Sequence, residues 1–138
     1  MSTEWTVTCD IRFTDIESNN GNIFHFKSGD NVHGVRHPAL YSKGNSTNLV
    51  VRANVNGDLF HNTRIHLELN VKAHIEIHQR YVSKGNYRFF IIKDGEEIFS
   101  IINDDAQPVY NTHVYASNEW FHSSTVVMLS NLEFTNFL

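Results

Sequence analysis

The sharpest grouping of chemistry-bearing residues is His74-x-Glu76-x-His78. On a strand, residues two apart share a face, so two imidazoles and a carboxylate would stand together as a zinc-type ligand set. Ala73, Ile75 and Ile77 alternate with them, so the same spacing also describes the polar side of a half-buried strand, and both readings stand. Glycoside hydrolysis needs two carboxylates about 5–9.5 Å apart, which on one strand face reads as Glu-x-Asp. No Glu-x-Asp occurs in the chain. Glu96-Glu97 follows a turn, where charge is simply solvated, and Asp104-Asp105 offers calcium only two acidic groups. No nucleophile-elbow motif anchors Ser-His-Asp chemistry. Cys9 is the single cysteine, which excludes an internal disulfide and a cysteine-based zinc site. The expectation is a protein that is not an enzyme and has no metal site. No cofactor is assigned, with calcium left open.

Binding groups are more plentiful. The segment Ser28 to Tyr41 reads as a long polar loop that offers Asp30, Asn31, His33, Arg36 and His37. A second loop, Ala116 to His122, carries Asn118 and Trp120, the tryptophan being either a lid over the core or a stacking platform. Asn54, Asn56 and Asp58 lie at a neighbouring turn, and His61-Asn62-x-Arg64 forms a further polar cluster ahead of a strand. Sugars present apolar C–H faces and many hydroxyls, so aromatic rings with Asn, Asp and Arg suit them. Sixteen asparagines fit either a chain rich in turns or a surface for neutral polar ligands, and nine histidines give pH sensitivity whether scattered or built as a switch; protonating every histidine would move the net charge from −4 to +5.

The elements that position these groups are strands. Trp5, Val7, Cys9, Ile11 and Phe13 alternate with Thr6, Thr8, Asp10, Arg12 and Thr14, the period of a strand buried on one side. Further strands are expected at Ile23–Phe26, Leu49–Val55, Ile65–Val71, Ala73–Val82, Tyr87–Lys93, Glu97–Ile102, Val109–Tyr115 and Val126–Phe134. The seven glycines and two prolines all fall between these runs, and Asp94-Gly95 is a strong hairpin turn. No helical period of any length appears. The fold class is therefore all-β, an antiparallel two-sheet sandwich with its first and last strands close together, in one domain spanning residues 1–138. No run of about 18 apolar residues exists to insert into a membrane. An excess of 15 acidic over 11 basic residues argues against nucleic acid as the main partner.

Trp5 opening an alternating strand, Asn22-Ile-Phe-His-Phe26, Arg36-His-Pro-Ala39 and Val55-Asn-Gly57 follow in order. The hairpin Tyr87 to Ile102, Val114-Tyr-Ala-Ser117, Trp120 and Asn131-Leu132 complete the series. Together they resemble a concanavalin A-like or laminin-G-like jelly-roll domain of the lectin type found in invertebrate proteins. The resemblance implies a jelly roll that binds carbohydrate in an extracellular setting, although Met1 to Glu4 begins no signal peptide. The leading expectation is a non-enzymatic lectin for galactose-type or other neutral glycans or glycoproteins. Its site is placed at Arg36, His37, Asn54, Asp58, Asn118 and Trp120, with Trp120 stacking on the sugar. The alternative is a laminin-G-like module that binds a matrix or cell-surface protein. A homo-oligomer is expected, because a weak sugar site gains from multivalency.

Overall fold

Alternation along Trp5 to Phe13 places five side chains, each at most 1% exposed, on one face of strand β1 (Glu4–Phe13). The computed structural model describes residues 3–28, 35–108, 112–116 and 122–137. The other strands are β2 (Gly21–Ser28), β3 (Val35–Ser42), β4 (Asn48–Val55), β5 (Asp58–His66) and β6 (Ala73–Ser83). They continue with β7 (Asn86–Lys93), β8 (Glu96–Asn103), β9 (Thr112–Tyr115) and β10 (Val127–Phe137). Sheet A has the order β10-β1-β6-β7-β8 and sheet B the order β5-β4-β3-β2-β9, with every strand pair antiparallel. The first and last strands pair directly, from Glu4 opposite Phe137 to Phe13 opposite Val127. No helix occurs among the described residues.

The inner faces interdigitate into one core. Sheet A contributes the β1 row with Ile75, Ile77, Phe89 and Ile91; sheet B contributes Phe24, Phe26, Leu40, Leu49, Val51 and Ile65. Each such burial stabilises by about 1.5–3 kcal/mol relative to exposure. Cys9 belongs to this core, and burial pushes its thiol up to about 12, far from a reactive thiolate. Asn56-Gly57, Lys84-Gly85 and Asp94-Gly95 all take positive φ and close two-residue hairpins, the twist that antiparallel strands favour. Gly21 is required for a different reason. A Cβ there would come within 2.7 Å of the Ser124 backbone, where Glu17 gathers the hydroxyls of Ser42 and Ser124.

Two expected elements are corrected. The Ser28 to Tyr41 segment is not one long loop, because Val35–Ser42 forms β3. Pro38 hid this strand, since proline lacks a ladder donor. The register accommodates it with a bulge: His25 pairs with Ala39 and Lys27 with Arg36, so His37 and Pro38 oppose a single residue. The expected strand Ile65–Val71 instead ends β5 at His66. Leu67 is still buried, but Leu69 and Val71 are exposed where the chain crosses to sheet A. The cluster His61-Asn62-x-Arg64 therefore lies within a strand, not ahead of one.

A buried amide chain anchors the β4–β5 hairpin to sheet A. Gln79 Nε2 donates to the Thr3 carbonyl and Asn103 Nδ2 donates to Gln79 Oε1, each at 2.8 Å. Asn103 Oδ1 in turn accepts from the Asn56 amide at 2.9 Å. These contacts satisfy polar groups that would be costly to bury alone, and they fix the tip of sheet B.

Candidate functional site

Strands β3, β4 and β5 alternate, so Tyr41, Arg52, Phe60, Asn62 and Arg64 leave the core and stand on the outward face of sheet B. The register sets Arg52 opposite Asn62 and Val50 opposite Arg64. Arg52 Nε donates to Asn62 Oδ1 at 2.8 Å, and Arg52 Nη2 donates to the Tyr41 hydroxyl at 3.0 Å. The Tyr41 hydroxyl donates to the same Asn62 oxygen at 3.2 Å. Two donors converge on one amide oxygen, and the Asn62 Nδ2 hydrogens are left uncommitted among the described residues. The guanidinium carbon lies 5.1 Å from the Tyr41 ring centroid and 5.5 Å from that of Phe60. Phe60 itself is 50% exposed. Tyr41 is buried on β3, so the cluster is a fixed guanidinium and amide between a buried ring and a half-exposed one. Toward the opposite edge of the same face, His25 and Tyr115 stack at 4.8 Å with their planes 14° apart.

The residues singled out in the sequence are placed unevenly. His37 lies on β3 and Asn54 on β4, each two residues beyond the Ala39–Arg52 pair. Both are deeply buried, and among the described residues His37 Nε2 and Asn54 Oδ1 have no hydrogen-bond partner. Burial lowers the His37 imidazole from 6.5 to about 4, so it is neutral at physiological pH. Asp58 is exposed at the start of β5, where its carboxylate accepts from the Phe60 amide at 2.9 Å. The backbone of Arg36, on β3, pairs with Lys27 of β2, while the Arg36 side chain falls outside what is described. Asn118 and Trp120 lie outside the described residues. Sheet B thus brings Arg36, His37, Asn54 and Asp58 to one end. The Arg52–Asn62 pair escaped the sequence reading because it exists only through the β4–β5 register; the signal was the polar row Phe60-x-Asn62-x-Arg64-x-His66.

His74, Glu76 and His78 do share the outward face of sheet A, as strand spacing requires, but hydrogen bonds engage them. His74 Nδ1 donates to Asp10 Oδ1 at 2.7 Å, and His78 Nε2 pairs with Glu76 Oε2 at 2.9 Å. His78 Nδ1 meets the Thr6 hydroxyl at 2.9 Å, and the ring stacks on Phe90 at 4.6 Å. Burial lowers the His78 pKa, against the opposing pull of Glu76. Asp10 also accepts from Asn131 Nδ2 at 2.7 Å, and bonds from His74 and Asn131 hold its carboxyl below the usual range. Among the described residues, no three His, Cys, Asp or Glu side chains are grouped to hold a metal ion. A cavity of about 140 Å³ opens beside Asp10, lined also by Arg12, Lys72 and Met128. At the sheet B tip, Asp105 is tied to Asn103 and Gln107.

No family model matches the chain, and no curated protein does. Solved structures do. An endo-β-1,4-glucuronan lyase from Trichoderma reesei matches with a TM-score of 0.61 and 12% identity, over 97% of this chain and 68% of that one. A pentraxin from Limulus polyphemus matches at 0.60 and 18%, over 96% of this chain; the chain spans only 64% of the pentraxin's length. A galectin from Caenorhabditis elegans matches at 0.53 and 12%, over 98% of this chain and 84% of that one. At these identities the likeness is one of fold. It nevertheless corrects the expectation of a protein without catalysis. The glucuronan lyase and two further lyases are enzymes built on the same sandwich. The search for a Glu-x-Asp pair tested only two-carboxylate hydrolysis. A lyase works by elimination, which needs a proton acceptor instead. With its two five-stranded antiparallel sheets and these neighbours, the chain has the concanavalin A-like jelly-roll fold.

Proposed function

We propose that the outward face of sheet B binds carbohydrate. The observation that carries this reading is the Arg52–Asn62–Tyr41 cluster beside the half-exposed ring of Phe60. A held guanidinium and an outward amide donate to hydroxyl oxygens, while an aromatic ring takes the apolar C–H face of a pyranose. The galectin and glucuronan lyase matches add support, since proteins of this fold include glycan binders and glycan-cleaving enzymes. Asp58, exposed at the start of β5, extends the proposed surface, with His37 and Asn54 buried behind it at the same end of the sheet; Arg36, Asn118 and Trp120 are candidate contacts on their residue types alone. Screening against immobilised glycans tests the reading: saturable binding lost in Asn62→Ala and Phe60→Ala supports it, and binding that survives both changes places the site elsewhere. Following any bound polysaccharide for chain shortening in the same samples shows whether the face also cleaves.

A second reading, a protein-interaction surface or homo-oligomer contact, is favoured by edge strand β10. It exposes Met128, Leu132, Phe134 and Phe137 and carries the single charge of Glu133. Long apolar edges with few charges invite pairing. Sedimentation of the wild type against Leu132→Lys tests it, a shift to smaller species being the supporting result.

A further inference from the structure

Charge is divided unequally between the sheets. In a chain of net charge −4, the strands of sheet B carry Lys27, Arg36, Arg52 and Arg64 against the single carboxylate of Asp58. The strands of sheet A carry Glu4, Asp10, Glu76, Glu96, Glu97 and Glu133 against four cations. Pairing differs in part. On sheet A, Arg88 meets Glu97, and Lys72, on the adjoining segment, lies 3.8 Å from Asp10, while Arg12, Arg80 and Lys93 meet neutral groups. On sheet B, the partners of Arg52 are an amide oxygen, a phenol hydroxyl and two rings, all neutral. Arg64 is exposed, and neither arginine has an ion-pair partner among the described residues. Because Arg52 opposes Asn62, Arg64 is its diagonal neighbour, about 7–8 Å away on the same face. Positions this close on one face put both long side chains within reach of a single anion, which would offset the repulsion between their guanidinium charges.

We propose that the glycan taken by the outward face of sheet B is anionic, with a carboxylate or sulfate group held between Arg52 and Arg64. The inference rests on the carbohydrate reading and replaces the neutral sugar expected from the sequence. Guanidinium forks match the planar geometry of carboxylate and the oxygens of sulfate, and charge-assisted bonds are about twice as strong as neutral ones. Phe60 and Asn62 alongside would contact the ring and hydroxyls of the same residue or its neighbour. A nucleic acid fits less well, because its phosphates demand a broad basic footprint and this face offers a small one.

The experiment titrates the full chain with oligogalacturonate, with the same oligosaccharide carboxyl-reduced to the neutral sugar, with a sulfated galactan and its desulfated form, and with single-stranded DNA. The expected result is binding to the uronate, the sulfated galactan or both, which identifies the anionic group. The charged form should bind about fivefold or more tighter than its neutral counterpart and weaken as salt rises. Arg64→Gln and Arg52→Gln should each remove about fivefold, the magnitude of one partly exposed ion pair. Arg64 is exposed and outside the Tyr41–Asn62 cluster, so its variant keeps the test decisive if Arg52→Gln perturbs folding. Equal binding of charged and neutral forms overturns the anionic inference and leaves the carbohydrate reading standing. Binding to DNA alone overturns both. Binding to no glycan, with the protein folded, also overturns both.

Discussion

The two outward faces are built from the same alternating strands, yet their polar groups are used in opposite ways. On sheet A the carboxylates at its centre are answered by neighbours: Asp10 is held by His74 and Asn131, Glu76 by His78, and Glu97 by Arg88, while Arg12 and Arg80 meet neutral groups. On sheet B, Arg52 is ordered by neutral groups and stands beside the half-exposed ring of Phe60, with the exposed Arg64 diagonal to it. A face whose hydrogen-bonding capacity is consumed internally is stable but has little left to offer a ligand. A face that fixes its donors and leaves them unneutralised is prepared for one, at some cost in stability. The grouping His74-Glu76-His78, the sharpest in the sequence, belongs to the first kind.

The largest expected effect removes the shared base of both faces. Ile77→Ala empties a fully buried position in the core and should cost about 2–5 kcal/mol in urea unfolding. Glycan binding should then fall only with the folded fraction. Loss of binding from fully folded protein would show that the faces are not rigidly supported by the core.

Acid should separate the faces next. His37 on sheet B is buried with its pKa lowered from 6.5 to about 4. Between these values the unfolded chain takes up a proton that the native protein refuses, so stability is greatest above 6.5 and is lost as pH falls toward 4. The full loss is about 3 kcal/mol. Asp10 on sheet A has a lowered pKa, so its contribution is present above the ordinary 3.8 and is lost only as pH falls below that. Unfolding curves at about pH 7, 5 and 4 should therefore show an early decline that His37→Gln reduces, the lowered pKa of His78 on sheet A adding to the same window, with Asp10→Asn leaving that window unchanged. An early decline undiminished in His37→Gln would assign it to His78 or another group.

A smaller effect distinguishes the faces by ligand. Asn62→Ala should weaken glycan binding by about 1 kcal/mol, the net worth of a typical hydrogen bond, with little change in stability at this exposed position. The smallest is a difference near zero: Arg88→Gln removes the Arg88–Glu97 pair on sheet A and should leave glycan titrations within about twofold of wild type. A larger loss would move the site to sheet A.

Alternation made the sheet-forming rows legible. The Trp5 to Phe13 row, the apolar positions of β4 and the Asp94-Gly95 hairpin all follow from local chemistry, and the pairing of the termini from two strong end strands. What escaped was set by partners distant in sequence. Pro38 disguised β3 until the bulge opposite it was known, and the buried placement of His37 and Asn54 depends on strands meeting edge to edge. Arg52 and Asn62 sit ten residues apart and become one cluster only when the Asn56-Gly57 turn fixes their register. Single polar residues in alternating strands look alike in sequence; whether each is neutralised or left open is decided by the neighbouring strand.

The most direct test of a ligand face on sheet B is a backbone and side-chain NMR titration of the full chain with oligogalacturonate. Shifts should concentrate at Tyr41, Arg52, Phe60, Asn62 and Arg64 and leave Asp10, His74 and Glu76 unmoved. Saturable shifts centred on Asp10 and His74, with Arg52 and Asn62 silent, would contradict it.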